Sequence, residues 1–157
     1  MKKIIHILLT LTIIGTISGG ALAMVADWAD PKIEANRKAE TERAIFLVQP
    51  DGKTYETMDG VPFELYEVFD DTKNPAGYAM IYEGNGFQGK VRIMIGVKPD
   101  LNTITAMEVL EQTETPGLGT KILEDPFKGF FNGLSADPQI DMVKGVEASK
   151  PNEVQAI

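Results

Sequence analysis

The run Glu114–Gly119, with the letters E-T-P-G-L-G, is the stretch of this sequence whose residue types best suit a binding surface. Pro116 presets φ near −65° and Gly117 accepts a positive φ, so Thr115–Leu118 is predicted to form a type II turn. Gly119 has no Cβ, and its backbone can approach another backbone or a flat ring closely. Hydroxyls and an apolar side chain around exposed amides suit one edge of an aromatic heterocycle, although a plain turn has the same spacing.

The side chains available for chemistry are few in kind. The sequence holds no cysteine and a single histidine, His6. This excludes disulfides, Cys-ligated clusters and catalytic triads or zinc sites built on His or Cys. Glu108, Glu111 and Glu114 suggest a hydrolase, but on a strand Glu108 and Glu111 lie on opposite faces. Redox chemistry would require an organic cofactor.

The N-terminal residues predict a membrane anchor. Ile4–Ala26 carries no formal charge, and about 23 residues at roughly 1.5 Å each span about 34 Å, enough to cross a bilayer core. Lys2 and Lys3 precede this segment and predict a cytoplasmic N-terminus, with Trp28 at the opposite interface. We therefore expect residues 1–26 to be a transmembrane anchor, with the rest of the chain outside the cytoplasm. The alternative is a cleaved signal peptide, because Ala21–Ala23 fits an A-x-A site.

The remainder of the chain is acidic. Of 15 basic residues, Lys2 and Lys3 belong to the anchor, which leaves 13 against 23 acidic residues. Nucleic acid and anionic lipid headgroups are poor partners for such a surface. The composition is otherwise that of a globular protein, at 43% hydrophobic and 24% charged residues, so one domain with a real core is expected.

The pattern beyond the anchor predicts an α+β fold, an antiparallel sheet with packed helices. Asp30 as N-cap and Pro31 at the first position predict a helix from Pro31 to Leu47, a partly solvated stalk within residues 27–50. Alternating residues then predict strands. These are Phe63–Asp70, Tyr78–Gly84, Lys90–Val97 and Thr103–Glu111, followed by a short strand near Ile140–Val143.

Two predictions concern the core. Alternation places Val91, Ile93, Ile95 and Val97 on one face of their strand, which is therefore expected to cover the core. Asp125 as N-cap and Pro126 predict a short helix. Its aromatic positions are expected to pack in the core rather than against a cofactor; they are Phe127, Phe130 and Phe131, with Leu134 following.

The stretch from Gly84 to Ile122 resembles the FMN-binding domain of the G subunit of Rnf ion-translocating electron-transport complexes and of its counterpart, the C subunit of the sodium-pumping NADH:quinone oxidoreductase. The resemblance lies in the Gly-aromatic-x-Gly entry at Gly86, Phe87 and Gly89, in the strand–turn–strand, and in the E-T-P-G-L-G run. It implies that residues 51–157 are an FMN-binding domain. The residues implied to shape the flavin pocket are Glu114, Thr115, Pro116, Gly117, Leu118 and Gly119.

The same resemblance implies a function. The chain is expected to be a single-pass protein of the cytoplasmic membrane, an electron-transfer part of a translocase and not a stand-alone catalyst. Its implied partners are the other subunits of an Rnf-like complex and a flavin transferase, which joins FMN to a threonine in an S/T-G-A-T-x-x-S/T sequence. The alternative is a cofactor-free binding or structural module on the same fold.

The attachment sequence is where this chain departs from the family. Asn152–Ile157 resembles the residues that precede the S/T-G-A-T box, but no Gly-Ala-Thr triplet occurs among the 157 residues. No acceptor threonine is therefore named, and the sequence is expected to be truncated just before the box, which leaves the FMN-binding domain incomplete at its C-terminus. For the chain as it stands, at most weak non-covalent FMN binding is expected.

Overall fold

Two helices and seven strands are present in the computed structural model, which describes residues 2–156. The elements in chain order are α1 (Lys2–Val48), β1 (Thr54–Met58), β2 (Leu65–Phe69), β3 (Pro75–Asn85), β4 (Lys90–Val97), β5 (Ile104–Glu111), α2 (Asp125–Gly129), β6 (Asp141–Val143) and β7 (Glu153–Gln155), with a 3₁₀ helix over Gly119–Leu123 before α2. The chain divides into two units, Met1–Ala39 and Glu40–Ile157.

Strands β1 to β5 form one antiparallel sheet in sequence order, which confirms the predicted α+β fold. The predicted Lys90–Val97 strand has the observed bounds of β4, and the strand predicted to begin at Thr103 begins one residue later. Strand β1 is not predicted by the sequence because it is an edge strand whose residues are mostly exposed, so no alternation marks it. Strands β6 and β7 pair in parallel, and β7 is also absent from the predicted elements.

The main core lies on the face of β4 opposite to the predicted one. Met94 is fully buried among residues from α1, β2, β3 and β5, whereas Ile95, on the predicted face, is only partly buried. The predicted face packs instead on a smaller cluster formed by Ile104, Leu134 and Val154. Both faces of β4 are covered, so the apolar alternation correctly marked a buried face but not the more buried one.

The predicted helix start at Asp30 is wrong, because α1 continues through Pro31. Proline has no N–H to donate to the carbonyl four residues earlier, but the surrounding residues are exposed and water can hydrate that carbonyl. The predicted partly solvated stalk is exposed over its first part and buried at its C-terminal end. Ala44, Ile45 and Val48 are 0 to 2% exposed and form part of the main core.

The end of α1 docks on the sheet backbone. A Cβ on Gly96 would collide with the Val48 carbonyl oxygen, so only glycine fits there. The buried Gln49 side chain follows directly and donates from Nε2 to the carbonyls of Tyr78 (2.8 Å) and Val97 (2.9 Å). These contacts hold the start of β3 and the end of β4 against the end of α1.

Helix α2 is shorter than its aromatic spacing suggested. Its N-cap is Glu124 rather than Asp125, because the helix begins one residue earlier than predicted. Phe127 stacks edge-to-face with Phe131, at 5.6 Å between ring centroids, and Phe131 packs on the smaller core cluster. Phe130 remains 39% exposed, so the predicted packing of the aromatic residues holds only in part.

Candidate functional site

The Thr115–Gly119 segment forms the predicted turn. The Thr115 carbonyl oxygen accepts N–H groups from Leu118 (3.1 Å), Gly119 (2.9 Å) and Thr120 (3.3 Å). Gly117 has φ of +75°, the value that the third position of a type II turn requires. The turn leads directly into the 3₁₀ helix. The Leu118 N–H closes the turn, and the other two donors, the N–H groups of Gly119 and Thr120, belong to the first residues of this helix.

The tip of the turn is free of packing within the described residues. Gly117 donates its N–H to Thr120 Oγ1 at 2.8 Å, and a Cβ built on Gly117 would have no neighbour within 4 Å. Pro116 and Gly117 are exposed, and Leu118 is 69% exposed. Glu114, Thr115 and Gly119 are half-buried at the base. The apolar Leu118 side chain is therefore available to a ligand.

A second segment, the loop Gly86–Gly89 between β3 and β4, lies against the base of this turn. The loop is closed by a hydrogen bond from Gly86 N–H to the Gly89 carbonyl at 2.7 Å. Gln88 donates its backbone N–H to Glu114 Oε1 (3.1 Å) and its Nε2 to Thr115 Oγ1 (3.2 Å). The structure thus joins the two segments that carried the family resemblance, 26 residues apart in the chain.

The side chain of Glu114 lies directly beside Gly119. A Cβ on Gly119 would lie 2.6 Å from Glu114 Cβ and 2.9 Å from Glu114 Oε2. The Glu114 side chain therefore occupies the space that a side chain at position 119 would take, and the close approach of a flat ring to Gly119 stays a prediction. A Cβ on Gly86 would likewise collide with Glu114 Oε1.

A cleft of about 460 Å³ lies between the two segments. Its lining is mainly apolar, with one carboxylate and one ammonium group: Gly86, Val91, Glu114, Leu118, Gly119, Lys121 and Ile122. This volume falls within the range of small-molecule sites, and the mixture of apolar wall and few polar groups is typical of them. The residues present fit a flat heterocycle with an anionic substituent.

Sequence reasoning did not identify every residue of this cleft. It did not name Lys121, which lines the cleft, or Gln88, which is outside the lining but joins the loop to the turn. The Gly-aromatic-x-Gly spacing pointed to the loop, but only the fold shows which loop residue bonds to the turn. Phe87, the aromatic residue of that loop, is 91% exposed and outside the lining.

The other carboxylates near the site are paired with cations. Glu108 accepts from Lys128 Nζ at 3.2 Å, and Glu111 lies 3.4 Å from Arg92 Nη1. Burial lowers the pKa of Lys128, but the hydrogen bonds and charges of Glu108 and Asp125 together outweigh it and hold the pKa above its usual value. The described residues contain no group of three or more metal-ligating side chains. Glu108 and Glu111 are thus held in separate ion pairs, by Lys128 and by Arg92.

Arg92 organises a charged cluster on the neighbouring part of the sheet. Its side chain is 7% exposed and lies 3.3 Å from Glu64 as well as near Glu111. The Tyr66 hydroxyl donates to Glu64 at 3.0 Å. Burial, and then this hydrogen bond to a carboxylate, raise the pKa of Tyr66 to about 12. The buried Arg92 guanidinium thus lies between two carboxylates, so the charge buried at this position is paired.

The cleft residues lie within the part of the chain that matches a known domain family. Residues 86–157 match the family described as "FMN-binding domain". The chain is 27% identical over 172 residues to the G subunit of the ion-translocating oxidoreductase complex of Methanosarcina acetivorans, covering 99% of this chain and 92% of the relative. It is 34% identical over 99 residues to the G subunit of the Na⁺-translocating ferredoxin:NAD⁺ oxidoreductase complex of Acetobacterium woodii, and this match spans 47% of that relative.

Two solved structures share the fold. The C subunit of the Na⁺-translocating NADH-quinone reductase of Parabacteroides distasonis aligns at a TM-score of 0.56 and 19% identity, over 79% of this chain and 81% of the other. NqrC of Shewanella oneidensis aligns at 0.56 and 21% identity, over 70% and 59%. The cleft described above, with the loop and turn that form it, lies within the matched domain. The chain thus contains a segment that matches the FMN-binding domain, and it is similar to the G subunits of the ion-translocating oxidoreductase complexes and to the C subunits of the Na⁺-translocating NADH-quinone reductases.

Proposed function

We propose that this chain is a membrane-anchored electron-transfer subunit that holds FMN in the cleft between the Gly86–Gly89 loop and the Thr115–Gly119 turn. The observation that carries the proposal is that these two segments, both within the matched FMN-binding domain, meet around a cleft of suitable size. Val91 and Leu118 would lie against the flavin ring, and Lys121 would offer positive charge to an anionic group. Bound flavin supplies one- and two-electron transfer.

The proposed setting is a membrane complex of the kind named for its relatives, which are subunits of ion-translocating oxidoreductases. Helix α1 is the single described helix long and apolar enough to cross a membrane. Lys2 and Lys3 favour a cytoplasmic N-terminus, which would place the flavin domain on the extracytoplasmic side. Neighbouring subunits would exchange electrons with the flavin, and a flavin transferase would load it where an attachment sequence is present.

An FMN titration of the full chain in detergent tests the cleft. Binding should quench the fluorescence of added FMN, and Leu118→Asp should weaken this binding because a carboxylate would replace the apolar wall. Val146→Asp is the matched control, since Val146 is similarly exposed at 61% and lies outside the cleft. If the unmodified chain does not bind FMN, the alternative function is favoured, a cofactor-free module on the same fold.

The mode of attachment is tested separately. Intact mass of the chain after co-expression with a flavin transferase should show no FMN adduct, because these 157 residues contain no Gly-Ala-Thr triplet. Flavin fluorescence that survives denaturing gel separation would contradict this. Reading the codons after Ile157 would show whether an attachment sequence follows and whether covalent loading can be proposed for the longer chain.

The cysteine-free sequence allows a direct test of orientation. The variant Val146→Cys places one thiol on the exposed surface of the flavin domain. A maleimide that cannot cross the cytoplasmic membrane should label this thiol in intact cells whose outer layer lets the reagent through. The unmodified chain, which has no cysteine, should give no signal. Labelling that requires lysis would place the domain in the cytoplasm instead.

A further inference from the structure

Glu114 is the residue at which both walls of the cleft meet. Its Oε1 accepts the Gln88 N–H from the loop, and its Oε2 lies 2.9 Å from the position of a Cβ on Gly119 in the turn. A hydrogen bond from an amide to a carboxylate is stronger than one to a neutral acceptor. The side chain thus ties together two segments that no regular strand pairing connects.

The glycines on either side are explained by this side chain. A Cβ on Gly86 would collide with Glu114 Oε1 and lie 3.1 Å from its Cδ, and one on Gly119 would meet its Cβ, Cγ and Oε2. Glycine at 86 and 119 therefore leaves room for the glutamate. The space that a side chain at either position would take is filled by Glu114.

Neighbouring groups hold Glu114 in this place. The Glu114 N–H donates to Gln112 Oε1 at 2.6 Å, which fixes the backbone just before the turn. A second cross-link runs parallel to the carboxylate bond, from Gln88 Nε2 to Thr115 Oγ1 at 3.2 Å. Loop and turn are therefore joined twice, and the bond to the Glu114 carboxylate is the stronger type.

We propose that Glu114 is a positioning residue for the flavin: its carboxylate sets the distance between the Gly86–Gly89 loop and the Thr115–Gly119 turn, and Gly86 is required by this carboxylate rather than by the ring. The proposal rests on the proposed function only in taking FMN as the ligand. The contact between loop and turn exists without FMN and is measured without it.

The first test compares Glu114→Ala with Glu114→Gln in the full chain in detergent. Glu114→Ala should weaken FMN binding about tenfold, since the walls lose their charged hydrogen bond, and Glu114→Gln should restore most of the affinity because an amide oxygen still accepts. Glu147→Ala is the matched control at an exposed carboxylate. Equal loss in the Ala and Gln variants would overturn the positioning role.

The second test needs no flavin. Hydrogen exchange of the Gln88 amide in the FMN-free chain should accelerate about tenfold or more in Glu114→Ala and stay near the unmodified rate in Glu114→Gln. Unchanged exchange in Glu114→Ala overturns the proposal even if FMN binds. Accelerated exchange in a chain that never binds FMN supports the tie between loop and turn and rejects the proposed function, so the two failures are distinguishable.

The third test separates steric crowding of Glu114 from ring contact. If Gly86 is required by the carboxylate, Gly86→Ala should weaken FMN binding much less in the Glu114→Ala background than in the unmodified chain. If Gly86 is required by the ring, the two effects should multiply. Gly129→Ala, a position where a Cβ has no neighbour within 4 Å, controls for the glycine substitution itself.

Discussion

Gly96 in β4 and Gly86 in the β3–β4 loop each leave space for a neighbouring group, but the two groups differ in kind. A Cβ on Gly96 would collide with the backbone carbonyl of Val48, whereas a Cβ on Gly86 would collide with the carboxylate of Glu114 and lie 2.8 Å from a Val91 methyl. A backbone held by a buried helix end cannot shift, but the end of a side chain can rotate away. The docked helix is therefore a rigid contact, and the cleft contact is adjustable.

The largest effect should come from Gly96→Ala. The added methyl must displace the end of α1, where Val48 is 1% exposed, and we expect a loss of about 3 kcal/mol in the free energy of unfolding. Urea unfolding followed by far-ultraviolet circular dichroism measures it. A loss below about 1 kcal/mol would show that the helix end shifts easily and that the two glycine contacts are alike.

Gln49→Ala should have the next largest effect. The substitution removes two hydrogen bonds and leaves the carbonyls of Tyr78 and Val97 without this donor, for an expected cost of about 2 kcal/mol. The same unfolding measurement applies. Glu56→Ala, at an exposed position on β1, is the control. If Glu56→Ala lowered the free energy of unfolding as much as Gln49→Ala, the Gln49 hydrogen bonds would not contribute to the rigid contact.

Gly86→Ala should cost less, about 1 kcal/mol, because Glu114 and Val91 are side chains that can rotate. Its signature is a local one: the Gln88 amide should exchange faster while the global unfolding midpoint changes little. If Gly86→Ala destabilised the whole chain as much as Gly96→Ala, the cleft contact would be as rigid as the docked helix.

Glu153 extends the comparison to pH, since it is another carboxylate that holds backbone amides. The Ser149 N–H, then the Lys150 ammonium group and the Lys150 N–H, lower its pKa to about 2 from 4.5. A depressed folded pKa stabilises the fold above pH 4.5, and this contribution is lost as the pH falls towards 2. The difference in urea midpoint between the unmodified chain and E153Q should therefore be present at about pH 6 and vanish near pH 2. A difference that is constant with pH would exclude the carboxylate as its source.

The parts of the fold that the sequence predicted are those in which local pattern and final burial agree. Alternation found β4 with its observed bounds, and the Pro116–Gly117 pair predicted the turn. Alternation could not decide which face of β4 carries the main core, because both faces are covered and the helix that covers one of them ends at Val48, far earlier in the chain.

The candidate site divides in the same way. Residue types predicted a turn that suits a heterocycle, and the family resemblance added the loop. The role of Glu114 could not be read from either, since it depends on a contact between residues 88 and 114 that exists only in the folded sheet. Pro31 shows the opposite case, in which a strong local signal for a helix start did not stop α1.

The sheet order has a consequence for how the chain folds. Each of β1 to β5 pairs with its neighbour in sequence, so the sheet forms by closing short loops, which costs little chain entropy. The cleft is built entirely from residues 86–122, which run from the β3–β4 loop to the 3₁₀ helix. We therefore expect the cleft to assemble before the distant β7 segment joins β6, so that a chain still being synthesised could already present both walls.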